Sequence, residues 1–122
     1  MLKKRVLISD NYKDFVHLLV VFLSKQPDIE IIGVAYNGNQ VLTMIEQTNP
    51  DILLLDLIMP EMDGLEVLKK IREMGLSLRV LVVSAIGKEE MCETALELGA
   101  EQCFLKPANL NEILHSIRNK AS

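Results

Sequence analysis

The stretch that decides the fold is DILLLDLIMPEMDG, residues 51–64. The segment ILLL at residues 52–55 is continuously apolar, whereas a strand with one solvent-exposed face would alternate between apolar and polar side chains. The segment VLIS at residues 6–9 is almost as apolar. Strands have this composition when helices cover both faces of a parallel sheet. The stretch therefore predicts a buried parallel strand that ends in the carboxylate of Asp56.

Short apolar runs of this kind alternate along the whole chain with longer amphipathic segments. The predicted strands are Val6–Ser9, Ile29–Ala35, Ile52–Asp56, Val80–Ser84 and Gln102–Leu105. The predicted helices cover residues 13–25, 38–48, 65–74, 88–98 and 110–119. Strands and helices that alternate in this way form a parallel sheet with right-handed crossovers. We therefore expect a doubly wound α/β fold with five strands and five helices.

Residues that interrupt or cap helices agree with these boundaries. Pro27 follows the first predicted helix, and Pro50 precedes the third predicted strand. Gly99 follows the fourth helix, where a C-terminal glycine is common, and Asn109 can cap the last helix.

Size and charge limit the class of protein. The 122 residues are enough for one domain, and 49% of them are apolar. Asp and Glu number 17 against 13 Lys and Arg, a net charge of −4 that argues against nucleic-acid binding by this segment. The apolar run at residues 15–23 is shorter than the ~20 residues of a membrane span, and the N-terminus does not resemble a signal peptide. We expect a cytoplasmic protein in which Cys92 and Cys103, lacking CxxC spacing, are reduced thiols.

Four of the predicted strands end in residues that can carry charge or donate hydrogen bonds. Asp10 and Asn11 follow the first strand, Asp56 ends the third, Ser84 ends the fourth and Lys106 follows the fifth. In doubly wound sheets, ligands bind at the carboxyl ends of the strands, near the switch in strand order. The polar residues are therefore expected to form a site at one edge of the sheet.

The residue types suit the transfer of a phosphoryl group. A carboxylate such as Asp56 can attack phosphorus, and a fixed cation such as Lys106 can stabilise the charged oxygens. Asp10 and Asp56 could hold Mg²⁺, and Ser84 could donate a hydrogen bond. Each residue also has a purely structural alternative: Asp10 as a helix cap, Asp56 as a helix cap or as the partner of Lys106 in an ion pair, and Ser84 as a small residue at a strand end.

The ordered motifs resemble the receiver domains of bacterial two-component response regulators. DLIMPEMDG at residues 56–64 is similar to their DxxMPxxDG signature, SA at 84–85 to their Ser/Thr-Ala pair and KP at 106–107 to their Lys-Pro pair. LGA at 98–100 and the PDILLLD run also fit, so the resemblance covers the whole chain. Within that family, IIGVAYNG at 31–38 followed by LDLIMPEMDGLEVL most resembles the sporulation master regulators of endospore-forming bacteria.

The resemblance implies a fold and a set of roles. The fold would be CheY-like (flavodoxin-like), with strand order 2-1-3-4-5. Asp56 would accept the phosphoryl group, Lys106 would contact a phosphoryl oxygen, and Ser84 would move toward the phosphate and signal its presence. Pro60 would fix the turn beyond the acceptor, and Gly64 would relieve the backbone where the loop enters the next helix. Mg²⁺ or Mn²⁺ would be held by Asp10, Asn11, Asp56 and the backbone carbonyl of Ile58.

The resemblance also implies partners and context. The phosphoryl donor would be a phosphohistidine on a histidine kinase or a histidine phosphotransfer protein. The chain would be a signalling module that catalyses only its own phosphorylation and dephosphorylation, with no metabolic substrate. Residues 1–122 would form a single receiver domain, which could be the N-terminal part of a longer regulator with a DNA-binding output domain. Phosphorylation could produce a homodimer.

Three positions depart from the family pattern. Asn11 stands where receivers usually have a second acid, which predicts weaker Mg²⁺ binding and slower phosphorylation. Cys103 stands where Tyr or Phe is usual, three residues before the conserved Lys, so the usual aromatic coupling is expected to be absent or altered. Ala108 replaces the common Phe after Lys-Pro. These departures keep open an alternative function, a degenerate receiver that acts as a phosphorylation-independent interaction module.

Two rival classes of site fit the sequence less well. A phosphatase with an Asp nucleophile usually has a general acid two residues further on, where this chain has Ile58. A nucleotide- or flavin-binding domain would need a Gly-rich or Ser/Thr-rich loop after the first strand, and SDNYKD is neither.

The first helix is unusually apolar between Phe15 and Leu23. Such a run could be a wide core face, or it could leave exposed members, of which we expect Val20 to be one, as a docking patch for a helical phosphotransfer partner. His17 on this helix and His115 on the last are expected to be surface or boundary residues.

Overall fold

Five strands alternate with five helices across residues 2–85 and 87–120, the parts of the chain that the computed structural model describes. The strands are β1 Lys4–Ser9, β2 Ile29–Ala35, β3 Ile52–Leu55, β4 Arg79–Ala85 and β5 Gln102–Lys106. The helices are α1 Lys13–Ser24, α2 Gly38–Thr48, α3 Gly64–Glu73, α4 Glu89–Glu97 and α5 Leu110–Arg118. All ten predicted elements are therefore confirmed, with small shifts at their ends. None of the helices in the described ranges is long and apolar enough to cross a membrane.

The strands form one parallel sheet in the order β2-β1-β3-β4-β5, which confirms the doubly wound topology. The chain moves outward from β1 to β2, then crosses back to β3 and continues to β5. The order of the strands therefore reverses between β1 and β3. Such a reversal opens a crevice at the carboxyl ends of β1 and β3.

Alternate side chains of the strands enter two cores, one on each face of the sheet. Helices α1 and α5 cover one face, where Val6, Ile8, Leu54, Leu81 and Val83 are buried. Helices α2, α3 and α4 cover the other face, where Leu7, Leu53, Leu55, Val80 and Val82 are buried. Burial on both faces explains why the central strands lack the alternation of polar and apolar residues that a half-exposed sheet shows.

Local signals at the helix ends behave as the sequence predicts. The side chain of Asn109 caps α5 by accepting hydrogen bonds from the backbone N–H groups of Asn111 (2.9 Å) and Glu112 (3.4 Å). Gly99 follows α4 with a φ of +109°, a left-handed conformation that glycine adopts without steric cost. The structure adds two N-caps that the sequence analysis did not identify, Asn37 for α2 and Asp63 for α3.

The expectation of two reduced thiols is wrong, because Cys92 on α4 is bonded to Cys103 on β5. Helix α4 packs against β5, which places the two Cα atoms 5.8 Å apart, within the range that a disulfide requires. The two cysteines are 11 residues apart in the sequence, and they become neighbours only because α4 folds back against β5. The spacing alone therefore does not predict the bond.

Candidate functional site

The predicted polar residues converge on the carboxyl edge of the sheet. Asp10 directly follows β1, Asp56 directly follows β3, Ser84 is the penultimate residue of β4 and Lys106 is the last residue of β5. Parallel strands bring these ends to one edge. Asp10 is only 2% exposed and Asp56 only 6% exposed, so the edge contains two buried carboxylates.

Lys106 links the two carboxylates. Its Nζ lies 2.8 Å from Oδ2 of Asp10, to which it donates a hydrogen bond, and 3.8 Å from Oδ2 of Asp56. The ammonium is therefore closer to Asp10 than to Asp56. An ion pair between Lys106 and Asp56, the structural alternative raised by the sequence, is present but is the longer of the two contacts.

The other carboxylate oxygens accept backbone hydrogen bonds from residues two positions further on. Oδ1 of Asp10 accepts from the N–H of Tyr12 at 2.9 Å, and Oδ1 of Asp56 accepts from the N–H of Ile58 at 3.2 Å. The N-cap of α1 is Tyr12, so Asp10 shapes the turn before this helix and does not occupy the cap position. Both carboxylates are thereby fixed by their own loops.

The buried position of Asp56 opposes its negative charge. Burial, as the largest cause, and repulsion from the Asp10 carboxylate together raise the pKa of Asp56 to about 6, although Lys106 and the N–H of Ile58 act in the opposite direction. Two buried carboxylates thus share one lysine. An additional cation near Asp10 and Asp56 would lower the free energy of the ionised pair.

Ser84 is fully buried, and within the described ranges its hydroxyl has no hydrogen-bond partner. Strands β3 and β4 are paired with Leu55 opposite Val82, which places Ser84 two residues further toward the carboxyl edge. A buried hydroxyl without a partner is uncommon, because its desolvation is then uncompensated. The other serine at this edge, Ser9, instead donates to Sδ of Met59 at 3.0 Å.

The oxygen donors at this edge fit a magnesium ion. Mg²⁺ binds through one or two carboxylates and retains several water molecules. Asp10 and Asp56 supply two carboxylates, and the exposed Asn11 beside them has an amide oxygen. In the described part of the chain, no three or more His, Cys, Asp or Glu side chains form a metal-binding cluster. The available set therefore contains two acids and one amide.

The loop that leaves Asp56 is held close to β3. The N–H of Gly64 donates to the carbonyl of Leu57 at 2.8 Å. A Cβ atom at position 64 would lie 2.6 Å from the carbonyl oxygen of Asp56 and 2.7 Å from Cα of Leu57, distances that are too short for any side chain. Gly64 therefore permits the close return of the chain, as the sequence predicts. Within the same loop, the carbonyl of Pro60 accepts a hydrogen bond from Met62 at 2.8 Å.

Two aromatic residues of the site were not identified from the sequence. The Nζ of Lys106 lies 4.7 Å from the ring centroid of Phe15 and 5.9 Å from that of Tyr12. In the sequence, Phe15 is recognisable only as part of the apolar run of α1. The available signal was its position in the first turn of α1, which places its ring beside the edge where β5 ends.

A large hollow of about 590 Å³ lies at the opposite edge of the sheet. Its lining includes Lys4, Ile52 and Arg79, the first residues of β1, β3 and β4. The buried acids lie at the other ends of these strands, so the hollow is separate from the candidate site.

Comparison with known proteins agrees with the fold and with the ordered motifs. The sequence pattern of the response regulator receiver domain matches residues 6–118. The receiver domain of the putative response regulator NarL from Mycobacterium tuberculosis is 31% identical, with a TM-score of 0.88 over 98% of this chain and 100% of that chain. A DNA-binding response regulator of the LuxR family from Staphylococcus aureus is 27% identical, with a TM-score of 0.87 over 95% of this chain and 99% of that chain.

A third structure is a complex of CheX, CheY, BeF₃ and Mg²⁺ from Borrelia burgdorferi, in which the matched chain is 32% identical. Its TM-score is 0.83, and the match covers 95% of this chain and 87% of that chain. The match to the family pattern extends from β1 to the last turn of α5 and includes all the strand ends described above. The chain therefore belongs to the response regulator receiver domain family.

Proposed function

We propose that this chain accepts a phosphoryl group on Asp56 and thereby acts as the switch of a two-component system or phosphorelay. The single observation that carries the proposal is the arrangement of Lys106, whose Nζ lies 2.8 Å from Asp10 and 3.8 Å from Asp56 at a buried edge. The hydroxyl of Ser84 supports it, since among residues 2–85 and 87–120 it has no hydrogen-bond partner, and a phosphoryl oxygen would accept its hydrogen bond.

The reaction follows from the chemistry of these groups. A carboxylate oxygen of Asp56 would attack phosphorus as the bond from phosphorus to a histidine nitrogen breaks, and that nitrogen would keep the bonding electrons and take up a proton. The product would be an aspartyl phosphate. Lys106 would stabilise charge on the phosphoryl oxygens, and Ser84 would donate a hydrogen bond to one of them. The domain would turn over no other substrate.

A divalent cation, Mg²⁺ or Mn²⁺, is part of this proposal. Asp10 and Asp56 would hold it, with oxygen donors from Asn11 and the backbone carbonyl of Ile58. When bound, it would neutralise charge on the carboxylates and on the incoming phosphoryl group. The repulsion between Asp10 and Asp56 and the Mg²⁺ in the Borrelia burgdorferi complex support this assignment.

The test is to incubate the purified chain with acetyl phosphate and Mg²⁺ and to measure its intact mass. We expect one added phosphoryl unit that is lost in Asp56→Asn. The matched control is Asp14→Asn, because Asp14 is an exposed aspartate in the first turn of α1. Wild-type protein that gains no mass would refute the proposal, as would a gain that persists in Asp56→Asn.

A phosphorylation-independent interaction module is the alternative function. Two observations favour it: Asn11 provides no third acid, and the Cys92–Cys103 bond joins α4 to the strand position where an aromatic residue is usual. The same mass measurement separates the two functions. An unmodified chain that still binds a partner would establish the alternative.

The output and the donor are further parts of the proposal. The donor would be a phosphohistidine on a histidine kinase or a phosphotransfer protein, and phosphorylation could promote a homodimer. The likeness of residues 31–38 and 55–68 to sporulation master regulators and the match to a DNA-binding regulator from Staphylococcus aureus support a role in transcription. Because the net charge is −4, DNA contact would belong to a different domain.

A further inference from the structure

We propose that Phe15 is a positioning residue that holds the ammonium group of Lys106 over the two carboxylates. The inference rests on the proposed function, which gives Lys106 a role at the phosphoryl group, and it adds a residue to which the phosphorylation motifs assign no role. The observation that carries it is the distance of 4.7 Å between Nζ of Lys106 and the ring centroid of Phe15.

Lys106 needs such a constraint because its side chain is long and flexible. A lysine ammonium is a compact charge on a four-carbon stem, and immobilising it costs rotamer entropy. Its contact with Asp10, at 2.8 Å, is shorter than its contact with Asp56, at 3.8 Å. The two carboxylates alone would therefore draw the ammonium toward Asp10 and away from Asp56, the proposed nucleophile. A third attractive group can keep the ammonium within reach of both.

The ring of Phe15 can supply that attraction. The face of an aromatic ring carries negative potential and attracts a cation whose centre lies within about 6 Å of the centroid. Phe15 is half-buried and packs against the core between the sheet and α1, which fixes the ring in place. Tyr12 presents a second ring at 5.9 Å, but it is 58% exposed and so less firmly held. Phe15 is therefore the principal aromatic contact.

A simple role in core packing is the competing explanation, and fluorination separates the two. Fluorine atoms remove the negative potential of the ring face while changing its shape little. We would introduce 3,5-difluoro- and pentafluorophenylalanine at position 15 and measure the rate of phosphorylation by acetyl phosphate. We expect a stepwise decrease that reaches about three- to tenfold for the pentafluoro ring. The maximal rate of phosphorylation should decrease, whereas the acetyl phosphate concentration that gives half of the maximal rate should not change.

The matched control is the same substitution at Phe22. Phe22 lies on the same helix and packs against the same core, and the cation–π contacts found in the described residues do not include it. Fluorination there should leave the rate unchanged. Phe15→Tyr should keep a rate near that of the wild type, whereas Phe15→Leu should lower it. A rate that is constant along the fluorinated series at position 15 would overturn the inference while leaving the proposed function intact.

A second readout does not depend on phosphorylation. A ring stacked on the end of Lys106 shifts the NMR signals of the lysine ε-methylene protons upfield, and Phe15→Leu should abolish this shift. If the wild type gains no phosphoryl mass, the proposed function fails and this spectrum still decides where the ring lies. Identical ε-methylene shifts in the wild type and in Phe15→Leu would refute the contact itself.

Discussion

The carboxylate of Asp56 carries its charge where burial and the neighbouring Asp10 both oppose it. Its pKa is raised from 3.8 to about 6, so the folded state binds a proton more tightly than the unfolded chain does. Between these two values the folded state holds more protons, and this group therefore destabilises the fold progressively as pH rises from about 4 to about 6. Above pH 6 the penalty is fully present.

Asp56→Asn should therefore stabilise the metal-free protein at neutral pH. We expect the free energy of unfolding at pH 7.5 to rise by about 2 kcal/mol, since two pKa units correspond to nearly 3 kcal/mol and part of the interaction with Lys106 is lost. The gain should shrink as pH falls below 6 and vanish near pH 4. Urea unfolding in EDTA across this range measures it, with Asp14→Asn as the control. A gain that is independent of pH would show that the charge of Asp56 is not its cause.

Asn11 is the residue that most directly limits the proposed metal site. Its replacement by Asp would add a third carboxylate to a set that now contains Asp10 and Asp56, and affinity for hard cations rises with the number of charged ligands. We expect Asn11→Asp to bind Mg²⁺ roughly tenfold more tightly, which calorimetric titration would detect. Asn119→Asp, which adds the same charge at the far end of α5, should have no effect. Equal affinities in the wild type and Asn11→Asp would show that position 11 does not contact the metal.

At the scale of elements, helix α4 is joined to the sheet by the Cys92–Cys103 bond as well as by packing. The bond closes a loop whose ends are 11 residues apart, and cross-links over loops of this length typically stabilise a domain by about 3 kcal/mol. The bond lies on the face of the sheet to which the side chain of Val82 also points. Strand β5, which carries Cys103, is paired with β4, which carries Ser84. Removal of the bond should therefore loosen α4 more than α1 or α5.

Reduction of this bond should lower the urea midpoint of the wild-type protein. The double variant Cys92→Ala, Cys103→Ala should have a low midpoint that reductant does not change. Amide hydrogen exchange should accelerate in α4 on reduction and stay unchanged in α1, which packs on the opposite face. If reductant leaves the wild-type midpoint unaltered, the two sulfur atoms are not bonded in solution.

For the whole molecule, the fold can be predicted from the sequence because the apolar composition of the strands and their alternation with helices both indicate a parallel sheet covered on two faces. The apolar runs at 6–9 and 52–55 require cover on both faces, and a parallel sheet then brings Asp10, Asp56 and Lys106 to one edge. Contacts made by side chains across elements do not follow from this pattern. The position of the Phe15 ring and the disulfide depend on how a helix packs against the sheet, and the preference of Lys106 for Asp10 depends on the conformation of the lysine side chain. Periodicity alone specifies neither.

Helix α1 exposes fewer apolar side chains beside the site than the apolar run in the sequence suggests. The expectation that Val20 is exposed is wrong, because it is partly buried against the core between α1, α5 and the sheet. The exposed members of the apolar run are Leu18 (52%) and Val21 (41%), while His17 is exposed beside them and His115 is exposed on α5, as predicted. Residues three positions apart on a helix are neighbours, so Leu18 and Val21 form one small apolar patch on α1.

Under the proposed function, we expect this patch to bind the helix that carries the phosphohistidine. Helix α1 begins three residues after Asp10, and its Phe15 contacts Lys106, so a partner bound to α1 would be adjacent to Asp56. Leu18→Glu and Val21→Glu introduce charge without entering the core. Each should slow phosphotransfer from a phosphorylated histidine phosphotransfer protein by about tenfold or more, since a buried unpaired charge at an interface costs over 1 kcal/mol.

Phosphorylation by acetyl phosphate, which needs no docking surface, should proceed at the wild-type rate in both variants. Leu96→Glu is the matched control, because Leu96 is 46% exposed on α4, away from α1. A defect with acetyl phosphate as well would indicate damage to the site and not to docking. Unchanged transfer from the phosphotransfer protein would instead show that the partner approaches Asp56 over another surface, with α1 serving only to position Lys106 and to close the core.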